Sequence, residues 1–151
     1  MVSRTAIDDF VAQRTLALAG VSRDGRAGFG NAVRKELPKR GYTLRLVHPE
    51  ADAIDGEPCA RRLADVAGDV GGLLCVTQPE ATEALVAEAV EAGIRRIWIQ
   101  QGAESAEAIQ KAEEAGIAVV HGHCILMFTE PVGPFHGLHR WIWRLLGKIP
   151  K

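Results

Sequence analysis

The sequence predicts an α/β fold built on a doubly wound, parallel, five-stranded sheet. Five short apolar runs, Thr15 to Gly20, Tyr42 to Val47, Gly72 to Val76, Arg96 to Ile99 and Ile117 to Val120, are separated by stretches long enough for helices. The runs are nearly continuous in apolar character rather than alternating, which suits strands covered on both faces. Lys39-Arg40-Gly41-Tyr42, Glu91-Ala92-Gly93-Ile94 and Glu114-Ala115-Gly116-Ile117 repeat one junction, a glycine able to end a helix in the left-handed conformation with a strand directly behind it. Repeated βα units joined by right-handed crossovers give the open sheet of a single Rossmann-like domain.

Taken in order, the first element is an N-terminal helical flank within residues 1–14, where Ile7, Phe10 and Val11 stand at helical spacing. The first crossover helix contains Pro38, which disrupts the turn holding Arg34, so this helix kinks or ends early. Pro79 is suited to the first position of the next helix, whose apolar face is read as Ala81, Leu85 and Ala89, flanked by Val86 and Val90. Ser105 caps the following helix, Glu107 lies in its first turn, and Ile109, Ala112 and Ala115 form its expected buried face. The domain is expected to span residues 1–133. Residues 134–151 hold no acids but include Arg140, Arg144, Lys148 and Lys151, and Leu138, Trp141, Ile142 and Leu145 make an i, i+3, i+4, i+7 stripe. This reads as a basic amphipathic helix packed on the domain or at an interface, with a homodimer, a protein partner or an anionic membrane as what it would meet.

Composition narrows the function. With 151 residues, 47% hydrophobic and 25% charged, the chain has the makeup of an ordinary globular domain, not of a disordered, collagenous or coiled-coil protein. Eighteen lysines and arginines against 19 acids leave a net charge of −1, so no global field draws nucleic acid and any anion site must be local. Three widely spaced cysteines, Cys59, Cys75 and Cys124, fit a reducing compartment. Arg4, Asp8 and Asp9 interrupt the place where a signal peptide needs an apolar stretch, and no segment approaches the ~18 apolar residues of a membrane span, so a cytoplasmic location is expected.

In such a fold ligands bind at the carboxyl ends of the strands. The loop after the first strand, Gly20-Val21-Ser22-Arg23-Asp24-Gly25-Arg26-Ala27-Gly28-Phe29-Gly30-Asn31, combines glycines, arginines and a serine ahead of a helix N-terminus. Backbone N–H groups, the helix dipole and the guanidinium charges together suit phosphate. The loop lacks the Gly-Lys-Ser/Thr of a nucleoside-triphosphate P-loop and the Gly-x-Gly-x-x-Gly spacing of dinucleotide enzymes. The second strand ends in Val47-His48-Pro49 where an NAD site usually offers an acid, although Glu50 lies close by. Gln100-Gln101-Gly102 ends the fourth strand, at the expected topological switch point, with amides suited to hydrogen-bonding a ligand.

These pieces resemble the small stand-alone CoA-binding proteins, whose domain is similar to the CoA-binding domain of succinyl-CoA ligase alpha subunits. The likeness runs through Ala17-Leu18-Ala19-Gly20-Val21-Ser22, Gly28-Phe29-Gly30-Asn31, Val47-His48-Pro49, Ile54-Asp55-Gly56-Glu57-Pro58-Cys59, Trp98-Ile99-Gln100-Gln101-Gly102-Ala103 and His123-Cys124-Ile125-Leu126-Met127. It implies that Gly20, Ser22, Arg23 and Arg26 take the phosphates of CoA or acyl-CoA. It further implies that His48 and Pro49 lie by the adenosine and that Thr77, Gln78 and Pro79 lie along the pantetheine arm. Where family members usually show an asparagine before that proline, this chain has His48. The ligases transfer phosphoryl groups through a histidine in a second domain that this chain lacks, so the expectation is binding without turnover. No nucleophile elbow or His-Glu-x-x-His motif stands in the sequence.

An NAD(P)- or nucleotide-dependent oxidoreductase or transferase using the same crevice is the alternative from the enzyme class, and a scaffold acting through the C-terminal helix is the third reading. His121 and His123 share a face of an extended chain and, with Cys124 or His136, form a zinc candidate, against which stands a simple polar strand end. Cys124, where the family also places a cysteine, is a candidate for mixed-disulfide formation with the CoA thiol, whereas Cys75 inside an apolar run reads as core.

Overall fold

The computed structural model describes residues 2–26 and 28–130. Helix α1 (Arg4–Ala12) precedes strand β1 (Thr15–Ala19), and α2 (Phe29–Glu36) runs into a 3-10 turn (Leu37–Arg40) and β2 (Thr43–Val47). Two short strands follow, β3 (Ala53–Ile54) and β4 (Glu57–Ala60). Then come β5 (Gly72–Cys75), α3 (Pro79–Glu91), β6 (Arg96–Gln100), α4 (Ala106–Glu114) and β7 (Ala118–His123), with a last 3-10 turn at Ile125–Met127. The fold is the expected Rossmann-like α/β fold. Residues 134–151, including the basic amphipathic helix expected there, lie outside the described residues.

The sheet has seven strands rather than five, in the order β3-β4-β2-β1-β5-β6-β7. All neighbours pair in parallel except β3 with β4. The two extra strands are a hairpin whose turn is Asp55-Gly56, with φ of 52° and 79°. Asp-Gly is the pairing that accepts positive φ at both central positions of a tight hairpin turn. These strands escaped the apolar-run criterion because they are short and largely exposed.

Alternation along the central strands separates two cores. Leu16 and Leu18 of β1 face a cluster with Ile7 and Phe10 of α1, Val33 of α2 and Trp98. Ala17 and Ala19 face the opposite cluster, with Val86 and Ala89 of α3 and Ala108 and Ala112 of α4. Trp98 is fully buried, stacks at a tilt against Phe10 and Phe128 with centroids 5.5 and 5.8 Å away, and donates its indole N–H to His123 O at 3.2 Å. Cys75 belongs to the core as expected, and burial pushes its thiol pKa up to about 12. A thiol reagent is therefore expected to spare Cys75 in the native protein and to modify it only after unfolding, as mass spectrometry of the labelled peptide will read. Modification at the native rate of an exposed thiol would contradict that placement.

Local signals behave as expected at several ends. Ser105 caps α4 by accepting from Ala108 N at 3.3 Å, and Ser3, for which the sequence carried no expectation, caps α1 by accepting from Ala6 N at 3.1 Å. Gly41, Gly93 and Gly116 have φ of 87°, 74° and 77° at their helix-to-strand junctions. Pro38 ends the α-helical geometry and stands in the tighter 3-10 turn.

Four expectations need correction. In α3 the fully buried residues are Thr82, Val86 and Ala89, while Ala81 is exposed and Leu85 only partly covered. In α4 Ala108 and Ala112 are buried and Ile109 packs partly against the core, while Ala115 is exposed, because the helix ends at Glu114 and leaves Ala115 as its cap. His121 and His123 do not share a face. A bulge at Gly122, φ 73°, sets them opposite the consecutive residues Ile99 and Gln100, whose side chains leave the sheet on opposite sides. Finally, the order reverses between β1 and β5, so Gln100 at the end of β6 stands one strand away from the switch point.

Candidate functional site

The carboxyl ends of β1, β2, β5 and β6 open onto one cleft of about 960 Å³. Its floor depends on three backbones that touch. Gly20 has φ +108°, and a Cβ there would stand 2.2 Å from Val76 O. A Cβ on Gly30, in the first turn of α2, would stand 2.5 Å from Gly20 O. Glycine at both positions is thus what lets the loop, the start of α2 and the end of β5 meet. No side chain caps α2, and Gly28, Phe29 and Gly30 line the cleft, so the positive end of the helix opens into it.

The loop is shaped by its own polar groups. Ser22 Oγ donates to Asp24 Oδ1 and accepts from Asn31 Nδ2, both at 2.8 Å. Asn31 Oδ1 accepts from Arg34 Nε at 3.2 Å. The Arg34 side chain, only 4% exposed, reaches Gly25 O at 3.4 Å and pairs with Asp55 at 3.1 Å and with Glu57. Burial opposes the Arg34 charge, but the hydrogen bonds and charges of Asp55 and Glu57 outweigh it and hold its pKa above the ordinary value. Arg34 therefore clamps the glycine-rich loop onto the β3–β4 hairpin.

Of the residues expected from the sequence, Gly20, Val21, Ser22, Gly30, His48, Pro49, Thr77, Gln78, Gln100 and Gly102 all line the cleft. Asn31 stands behind it, holding Ser22, and Pro79 is the first residue of α3 outside the lining. Arg23 and Arg26 are exposed and do not line it; Arg23 lies 3.8 Å from Glu50. Among the described residues the cationic side chain that does line the cleft is Arg61, which sequence reasoning missed. It donates from Nε and Nη2 to the two carboxylate oxygens of Asp52 at 2.8 and 3.0 Å. That pairing raises the Arg61 pKa and holds Asp52 below the usual carboxylate range.

Several lining polar groups are engaged internally. Thr77 and Thr82 share a hydroxyl hydrogen bond of 2.7 Å, Gln100 Oε1 accepts from Ile125 N at 3.1 Å, and Glu88 accepts from Leu63 N at 3.2 Å. The apolar wall includes Val47, Val76 and Met127, and α3 adds Ala81, Ala84 and Leu85. That stripe explains why α3 carries more apolar residues than its core contact uses. Periodicity alone merges a core face with a cleft face beside it.

Cys124 is 7% exposed and also lines the cleft. Its neighbour His123 is buried with its ring edge against Phe128 at 5.7 Å, and Nδ1 has no hydrogen-bond partner among the described residues. Burial, aided by the nearby His121 charge and opposed by Glu104, lowers the His123 pKa. Among the described residues no three His, Cys, Asp or Glu side chains group to hold a metal ion, and His136 of the zinc candidate lies outside them. No helix among the described residues is long and apolar enough to cross a membrane.

Parallel strands wound in both directions around a deep cleft at the switch point make this a Rossmann-like ligand-binding domain. The family model for the CoA binding domain matches residues 14–130, and the chain belongs to that family, whose ligand is of the CoA type. A conserved hypothetical protein from Pyrococcus furiosus is 37% identical, with 74% of this chain and 96% of that one covered and a TM-score of 0.69. A hypothetical protein from Pyrococcus horikoshii is 25% identical, covering 87% of this chain and 92% of its own, with a TM-score of 0.77. A Thermus thermophilus protein is also 25% identical, over 80% of this chain and 89% of its own, with a TM-score of 0.67. No curated protein matches the chain.

Proposed function

We propose that the protein binds CoA or an acyl-CoA in this cleft and acts as a ligand-binding module without turnover of its own. The observation that carries the reading is the meeting of Gly20, Gly30 and Val76 under the uncapped start of α2, which leaves a backbone-lined floor for phosphate oxygens. From there the ligand runs in two directions. The adenosine lies by His48 and Pro49, and the pantetheine arm passes Thr77 and Gln78 toward the apolar wall, Gln100 and Cys124. A cleft of about 960 Å³ accommodates a ligand of that length. Binding rather than catalysis is supported by the internal hydrogen bonds of Thr77, Gln100 and Glu88, which hold the walls in place. The cytoplasm, where CoA is abundant and thiols stay reduced, is the compartment that suits this role.

Calorimetric titration under reducing conditions with CoA, acetyl-CoA, NAD, NADP and ATP tests the reading. CoA and acetyl-CoA are expected to bind at least ~10-fold tighter than the others, a difference of about 1.4 kcal/mol. Preference for NAD or NADP would move the protein to the oxidoreductase class, and silence toward every ligand would overturn the binding role in favour of a scaffold.

A further inference from the structure

Arg61 is placed by sheet topology rather than by the glycine-rich loop. Strand β4 pairs in parallel with β2, Ala60 opposite Val47, and His48 N donates to Ala60 O at 2.9 Å. Arg61 therefore leaves the sheet beside His48, at the same carboxyl edge, and lines the cleft there. Asp52 engages one edge of the guanidinium through Nε and Nη2, which fixes the plane of the fork and leaves Nη1 outside the pair. Asp52 is 79% exposed, so solvent screens its charge, while Arg61 at 56% still has surface to give to a ligand. Glu50, the acid nearest this strand end in sequence, lies toward Arg23 at 3.8 Å.

At this position of a doubly wound sheet an acid selects a free ribose hydroxyl, whereas an arginine accommodates a ribose phosphate. We infer that Arg61 is the specificity-determining residue for a phosphate on the ribose of an adenosine-containing ligand, with Asp52 as the group that orients it. A phosphomonoester carries about −1.5 to −2 charges at neutral pH and presents three oxygens, which a held guanidinium fork meets better than a free side chain does. The inference rests on the binding reading above and adds to it the chemical group read at the adenosine end.

The test is calorimetric titration of CoA and 3′-dephospho-CoA against the wild type, Arg61→Gln and Arg61→Lys. The wild type is expected to prefer CoA by about tenfold or more, and Arg61→Gln to lose about tenfold in CoA affinity while keeping its affinity for the dephospho form. Arg61→Lys is expected to restore part of the preference, since it keeps the charge but not the fork. If Arg61→Gln weakens both ligands equally, or leaves the CoA preference intact, the assignment of Arg61 is overturned while CoA binding stands. If the wild type binds neither ligand, the binding reading itself fails. Because Arg61 is half exposed, a thermal melt of Arg61→Gln is expected to match the wild type, which separates lost recognition from lost folding.

Discussion

Replacing Gly20 with alanine is expected to abolish measurable CoA binding and to lower stability by about 3 kcal/mol or more. Two costs combine. At φ +108° a side chain of the L configuration is strained whatever the space around it, by roughly 1–3 kcal/mol. The new Cβ would also stand 2.2 Å from Val76 O, inside any allowed contact, and the obstacle is backbone rather than a side chain that can turn away. Val76 cannot easily retreat, because its N–H donates to Ala19 O at 2.8 Å and β5 is held in register with β1. The loop must therefore lift from β5, which also breaks its close approach to Gly30 at the start of α2. Gly28→Ala is the matching control: φ is +86° and ψ 162°, a backbone region essentially reserved for glycine, but nothing lies within 4 Å of the added Cβ, so only the backbone strain of roughly 1–3 kcal/mol applies. Urea denaturation and CoA titration of both variants read the difference. Equal losses for the two would show that the contact with Val76 is not what shapes the floor.

Arg34→Ala is expected to cost about 2–3 kcal/mol and to weaken CoA binding by roughly tenfold. The side chain is 4% exposed, and its removal takes a hydrogen-bond donor from Asn31 Oδ1 and from Gly25 O while opening a void between α2 and the hairpin. The cost stays below that of breaking a fully buried ion pair because Asp55 and Glu57, at 61% and 50% exposure, recover water when the arginine goes. The effect on binding is indirect. Asn31 loses one of the groups that orient its amide, which loosens the amide's hold on Ser22 Oγ. Arg34→Lys is expected to recover little, since one ammonium cannot reach four partners that a planar fork spans. Chemical denaturation with CoA titration checks both numbers. A variant that kept full affinity while losing the stability would confine Arg34 to the fold and remove it from the shaping of the site.

Much of the fold was legible because its signals are local. The five central strands were visible as apolar runs, since a strand covered on both faces is mostly apolar; β2 is the most open of them and carries the exposed Arg45. Pro79 at the start of α3, Ser105 at the cap of α4, and Gly41, Gly93 and Gly116 at the junctions act within a turn or two of chain, so their residue types reveal them directly. The backbone part of the site was equally visible, because Gly20 and Gly30 sit in one loop and its helix. The hairpin also carried a sign, Asp55-Gly56, but its strands have few apolar residues and gain their place only by pairing with β2.

What no local pattern contained is which residues meet across the sheet. Arg61 reaches the cleft because parallel pairing carries β4 alongside β2, whereas Arg23 and Arg26, in the loop that looked made for phosphate, point into solvent. The division of α3 into a core stripe and a cleft stripe depends on where the cleft opens, and the bulge at Gly122 depends on the register between β6 and β7. Composition and periodicity record each residue's own preference for burial and backbone shape. Pair geometry arises only when distant segments close on one another, so the loop and its glycines belong to the sequence, while the cation that lines the cleft beside His48 belongs to the tertiary fold.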